Sequence, residues 1–201
     1  MMLRAAFVPP EEAVEQLRAL GGRLAQLPGI SAVGPGRVDV PIAGLGNVVE
    51  ADASRFAGVL AECLSDIPPV AVRAAGVELA GEEVTVRLDG DVATLAAVAR
   101  AVGTAAERVN VYIDRRGFRP AVVVGSVAST RPGSPLDRML SGPGVLCGLA
   151  MEPWPVAEVA LIRTRWFGGE ARAETAYRIP FRAESFVGRD FRTAKASTPL
   201  E

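Results

Sequence analysis

The sequence predicts an α+β fold, mostly antiparallel sheets with helices packed outside, and three observations predict it. Apolar residues recur at helical spacing in three segments, while a larger number of segments alternate apolar and polar residues as half-buried strands do. Strand patterns also follow one another directly, joined only by short turn signals such as Ala80-Gly81-Glu82 and Phe167-Gly168-Gly169-Glu170. The order therefore lacks the strict strand-helix alternation of a parallel sheet.

The elements follow from local chemistry. Residues 3–8 (LRAAFV) read as a strand stopped by Pro9-Pro10, after which Glu11 and Glu12 occupy the first turn of a helix, where the dipole favours acid. Ala13, Leu17, Leu20 and Leu24 form its stripe, and it is expected to end near Leu27, before Pro28-Gly29. A Gly/Pro-rich loop over 28–36 leads into a strand at 37–46, in which Val38, Val40 and Ile42 alternate with Arg37, Asp39 and Pro41. Pro41 cannot donate to a ladder, so that strand belongs at an edge or bulge. Asp52 or Ser54 is expected to cap a second helix whose Phe56, Val59, Leu60, Cys63 and Leu64 share one face; Pro68-Pro69 ends it. Strands are expected at 70–79 and 83–88, then a third helix capped by Asp91, carrying Val92, Leu95, Val98, Ala99 and Val102 inward and stopping at Gly103. After the basic turn Arg115-Arg116-Gly117 come a strand at 119–127 and a Gly/Pro/Ser-rich connection with a short helix around Leu136–Leu140. Two long strands, 154–166 and 171–181, close the pattern as a hairpin. Residues 182–201 lose periodicity while carrying Phe186 and Phe191, and form a tail that docks through those rings or frays.

Composition narrows the chemistry. The 201 residues contain no histidine, which excludes a Ser-His-Asp triad, His-bearing zinc sites and imidazole acid-base pairs. The basic residues are 21 Arg and one Lys, a bias that matches GC-rich coding, and the formal net charge of -1 gives no general attraction to nucleic acid. Charge is nevertheless split: residues 1–99 hold 7 basic against 13 acidic groups, and residues 100–201 hold 15 against 10. Such a split suits two lobes that attract each other, one lobe offering arginines to an anion, or an uneven solvated surface. Cys63 and Cys147 cannot build a disulfide framework, and no CxxC spacing exists for zinc. The first residues lack the apolar run of a signal peptide, and no stretch reaches the roughly 20 apolar residues of a membrane span, so a cytoplasmic protein without membrane contact is expected.

The start LRAAFVPPEEAVEQLRAL, the strand at 37–46 ending in Leu45-Gly46, the strand RPAVVVGS at 119–126 and the closing segment 153–181 together resemble the 2′-5′ RNA ligase-like (LigT-like) proteins of the 2H phosphoesterase superfamily. The resemblance implies a single bilobal domain over residues 1–181, roughly two-fold symmetric, with two antiparallel sheets facing a cleft. It also implies an H-x-T motif on one strand of each lobe. One imidazole takes a proton from the attacking hydroxyl, the other protonates the leaving oxygen, and the threonines hold the phosphate. Two positions apart on a strand, His and Thr point into the same cleft.

Aligned on Leu45-Gly46, the first histidine and threonine positions are Asp39 and Pro41. Aligned on Pro120, the second pair are Ala121 and Val123, and Ser126 stands where an arginine follows. The catalytic role therefore transfers to no residue. Asp39 reads as a solvated or arginine-paired strand residue, with Arg37 and Arg119 as candidate partners, or as the base of a rebuilt mechanism. Ala121 and Val123 would give the cleft an apolar wall suited to an aromatic, acyl or peptide group, or would be core if the lobes close. Arg37, Arg119, Ser126, Arg163 and Arg165 are candidate anion ligands, and Trp154, Trp166 and Phe167 could add an aromatic edge or pack inside.

These readings converge on a catalytically silent, ligand- or segment-binding homologue, monomeric and without metal or cofactor. RNA or a nucleotide as partner is implied by the resemblance alone. Two alternatives stay open: a phosphodiesterase or ligase rebuilt around Asp39 and an arginine, and an interaction module working through the Phe-bearing tail.

Overall fold

A computed structural model of the chain describes residues 1–34, 37–114, 117–128, 140, 151–168 and 170–182. Its elements are β1 (Met2–Phe7), α1 (Glu11–Leu24), β2 (Ile30–Ala32), β3 (Val40–Asn47), α2 (Glu50–Leu64), β4 (Val70–Ala80), β5 (Glu83–Gly90), α3 (Val92–Val109), β6 (Ala121–Val127), β7 (Trp154–Val156), β8 (Glu158–Phe167) and β9 (Glu170–Pro180). The strands form a four-stranded sheet A, ordered β3-β1-β8-β9, and a five-stranded sheet B, ordered β2-β6-β5-β4-β7. Every pairing is antiparallel, as expected for an α+β chain of this pattern.

Helix α1 covers sheet B, lying on β2 and β6, whereas α2 and α3 pack on each other and reach sheet A through β9 and β3. The approach of α1 needs Gly21: a Cβ there would sit 2.6 Å from the carbonyl oxygen of Val124. Glycine thus lets helix and strand backbones touch. The buried faces join in one core that includes Leu17, Leu20, Phe56, Leu60, Leu95 and Val122, while Ala6, Ala160 and Ile162 form a small separate cluster on the other face of sheet A.

Several boundaries differ from the sequence expectation, each for a local reason. Helix α1 stops at Leu24 rather than Leu27, and the predicted loop at 28–36 contains the short edge strand β2, whose Ile30 is buried. The strand expected at 37–46 begins at Val40, leaving Arg37 and Asp39 before it. Val49, not Asp52 or Ser54, precedes the first turn of α2, so those two side chains lie inside the helix. Helix α3 runs through Gly103 to Val109, because Ala105, Ala106 and Val109 continue the buried stripe; Asn110, in the left-handed region at φ 57°, ends it. Asp91 does occupy the cap position of α3, without a side-chain hydrogen bond. The long strand expected at 154–166 breaks at Ala157: β7 pairs with β4 in sheet B, and β8 pairs with β1 in sheet A. The apolar alternation changes phase at the transfer, from Trp154 and Val156 to Val159 and Leu161, with Glu158 between.

Of the expected short helix, Leu140 alone is described, and it is buried. Cys147, the turn residues Arg115 and Arg116, and the tail with Phe186 and Phe191 lie outside the described residues. Among the described residues no helix is long and apolar enough to cross a membrane.

Candidate functional site

Between the sheets lies a cavity of about 600 Å³. Sheet A and the segment leading into it contribute Arg4, Arg37, Asp39 and Pro41; sheet B and its approach contribute Glu78, Glu83, Thr85, Arg119, Ala121 and Val123. Six of the nine residues singled out from the sequence therefore share one space: Arg37, Asp39, Pro41, Arg119, Ala121 and Val123.

Register explains the convergence. Pro41 pairs with Ala6, and Arg4 pairs with Gly44 two positions away along β1, so their side chains stand on one face of sheet A. Val123 pairs with Thr85, Thr85 pairs with Glu78, and Ala121 pairs with Arg87 on the facing sheet. Asp114 completes the wall, its backbone N–H donating to the Gly44 carbonyl at 2.8 Å.

The centre of the cavity is an ion pair. The Arg4 guanidinium donates from both terminal nitrogens to the two oxygens of Asp39, at 2.7 and 2.6 Å. Asp39 is 5% exposed. A bidentate pair of this kind directs both carboxylate oxygens at one cation. The partner is thus Arg4, not Arg37 or Arg119 as the sequence suggested. Arg4 escaped notice because it looked like the outward residue of an otherwise apolar strand. Glu78, Glu83 and Thr85 were missed for the same reason: each is one polar residue in an alternating strand, a pattern that solvated residues share.

The other candidates lie elsewhere. Ser126 is exposed beside Ser31 and Glu83, outside the cavity. Arg163 donates from Nε and a terminal nitrogen to both oxygens of Glu174, each at 3.0 Å, and Arg165 approaches the same carboxylate at 3.6 Å. Both arginines therefore face a carboxylate across β8 and β9. The hydrogen bonds from Arg163 hold the Glu174 carboxyl below its ordinary range. A folded-state pKa so depressed stabilises the fold above the usual glutamate value of about 4.3 and ceases to do so as pH falls. The gap in melting temperature between wild type and Glu174→Gln should accordingly be present at neutral pH and close as acidification carries pH down through the lowered value of the carboxyl. Trp154 is buried in the core and Trp166 is 69% exposed at the end of β8; neither lines the cavity.

Among the described residues no group of His, Cys, Asp and Glu is placed to hold a metal ion. No buried side-chain polar atom there lacks a hydrogen-bond partner.

No protein-family model matches the chain, and no curated protein matches it by sequence. Solved structures do match its fold. TT0787 of Thermus thermophilus superposes with a TM-score of 0.68 at 16% identity, over 92% of this chain and 100% of that one. E. coli LigT in apo form gives 0.66 at 17%, covering 90% and 97%. LigT complexed with 3′-AMP gives 0.66 at 16%, covering 90% and 98%. Such identities speak for architecture, and the architecture is the one the sequence resemblance implied: the chain has the LigT-like 2H phosphoesterase fold.

Proposed function

We propose that this protein is a LigT-like homologue whose cleft binds a small ligand without the acid-base catalysis of the H-x-T enzymes. The observation that carries the reading is the Arg4–Asp39 pair. It stands at the position assigned to the first histidine, and Ala121 and Val123 stand at the second motif across the same cavity. For Asp39 to accept a proton from a hydroxyl, it would have to leave a bidentate guanidinium, and Ala121 offers no acid to a leaving oxygen. Structures of E. coli LigT complexed with NADP+, 3′-AMP and ATP support small-molecule binding by this architecture.

The purified chain is expected to show no turnover of a 2′,3′-cyclic nucleotide or a 2′-5′ linked dinucleotide above buffer. Turnover that is lost in both Asp39→Ala and Arg119→Gln would establish the rebuilt enzyme instead. The second variant keeps the central pair intact, so a folding defect could not imitate that result.

A further inference from the structure

We infer that the cleft takes a zwitterion, a small molecule with a cationic group at one end, a carboxylate at the other and a short apolar stem between, as in a basic amino acid or short peptide. The inference rests on the reading of the cleft as a binding site and adds the ligand class. Its basis is the polarity of the cavity from end to end.

One end is acidic. Glu78 faces Thr85 across β4 and β5, and Glu83 faces Ala80, so the two carboxylates stand a diagonal apart on one sheet face, about 7–8 Å between backbones. Among the described residues neither side chain has an ion pair or hydrogen-bond partner.

The other end is basic. Val123 pairs with Thr85, the neighbour of Glu78; β6 begins two residues earlier at Ala121, opposite Arg87, and Arg119 lies just before it on a turn in which its carbonyl accepts from the Ala121 N–H at 2.8 Å. Arg37 belongs to the opposite wall, two residues before Asp39. Among the described residues these arginines also have no partner, so the four charges do not neutralise one another.

Between the ends lie Pro41, Ala121 and Val123, with the Arg4–Asp39 pair already satisfied. A cation bound by Glu78 and Glu83 and a carboxylate bound by Arg119 and Arg37 would be joined across this neutral stretch by methylene groups. A phosphate dianion fits poorly. The lining sets three arginines against four carboxylates, and one of those arginines is committed to Asp39.

The test is calorimetric titration of the full chain with L-arginine, argininamide and 3′-AMP. L-Arginine is expected to bind saturably, and argininamide, which lacks the carboxylate, about tenfold more weakly. The double substitution Glu78→Gln, Glu83→Gln should abolish arginine binding at an unchanged melting temperature. Arg119→Gln should weaken arginine and leave argininamide unaffected. Tighter binding of 3′-AMP than of arginine, arginine binding indifferent to the double substitution, or no saturation by arginine at about 10 mM would each overturn the inference. Phosphodiester turnover is a separate readout: finding it would defeat the noncatalytic reading and leave the ligand class standing.

Discussion

Replacing Arg4 with methionine is expected to destabilise the protein by about 2–4 kcal/mol, because it leaves the Asp39 carboxylate in its buried place without its cation. The range sits below that of a fully enclosed pair because the Arg4 side chain is 27% exposed and water can reach it. Converting both partners, Arg4→Met with Asp39→Leu, should recover most of the loss, since two apolar side chains of similar volume carry no desolvation cost. Urea denaturation of the single and double variants checks this. A double variant as unstable as Arg4→Met would show that the pair stabilises the fold by more than neutralising its own buried charge.

Phe7→Ala should cost about 3–5 kcal/mol, the range for an aromatic side chain removed from a closed core. Phe7 is 1% exposed and meets Phe118 and Phe181 edge to face, at centroid distances of 6.0 and 6.3 Å. It joins β1 of sheet A to the segment entering β6 of sheet B and to the residue following β9. The loss should also reach the cleft, because Phe118 precedes Arg119 and its packing fixes where that arginine starts. A cycle of Phe7→Ala with Phe118→Ala should therefore give a coupling of about 0.5–1.5 kcal/mol. Additive losses would mean that Phe118 is held in place by other contacts.

Most of the architecture was legible because period and punctuation agreed: proline pairs, glycine turns and apolar stripes placed all three helices and most strands. What escaped was tertiary. The break at Ala157 shows in one dimension only as a change of apolar phase around Glu158, while which sheet receives each half is decided by tertiary pairing. Strand β2 is three residues long, too short for alternation to register. Gly103 invited an early stop to α3, yet the buried stripe beyond it outweighs the cost of one glycine, about 1 kcal/mol. The cleft was half legible. Spacing against a family pattern brought Asp39, Pro41, Ala121 and Val123 into one space, whereas the partner of Asp39 depended on cross-strand register, which a one-dimensional pattern does not contain.

The interleaving of the two sheets bears on how the chain reaches this state. Sheet A draws β1 and β3 from the first quarter of the chain and β8 and β9 from the last, while sheet B takes β2 from between the first pair, β4 to β6 from the middle and β7 from just before β8. β1 must therefore wait for β8, some 160 residues away, before sheet A closes. With so much of its pairing this remote, loop-closure entropy is lost before contacts repay it, and folding should be slow for a chain of this length. Because every cut between β1 and β9 divides sheet A, separated fragments should regain that sheet only on recombination.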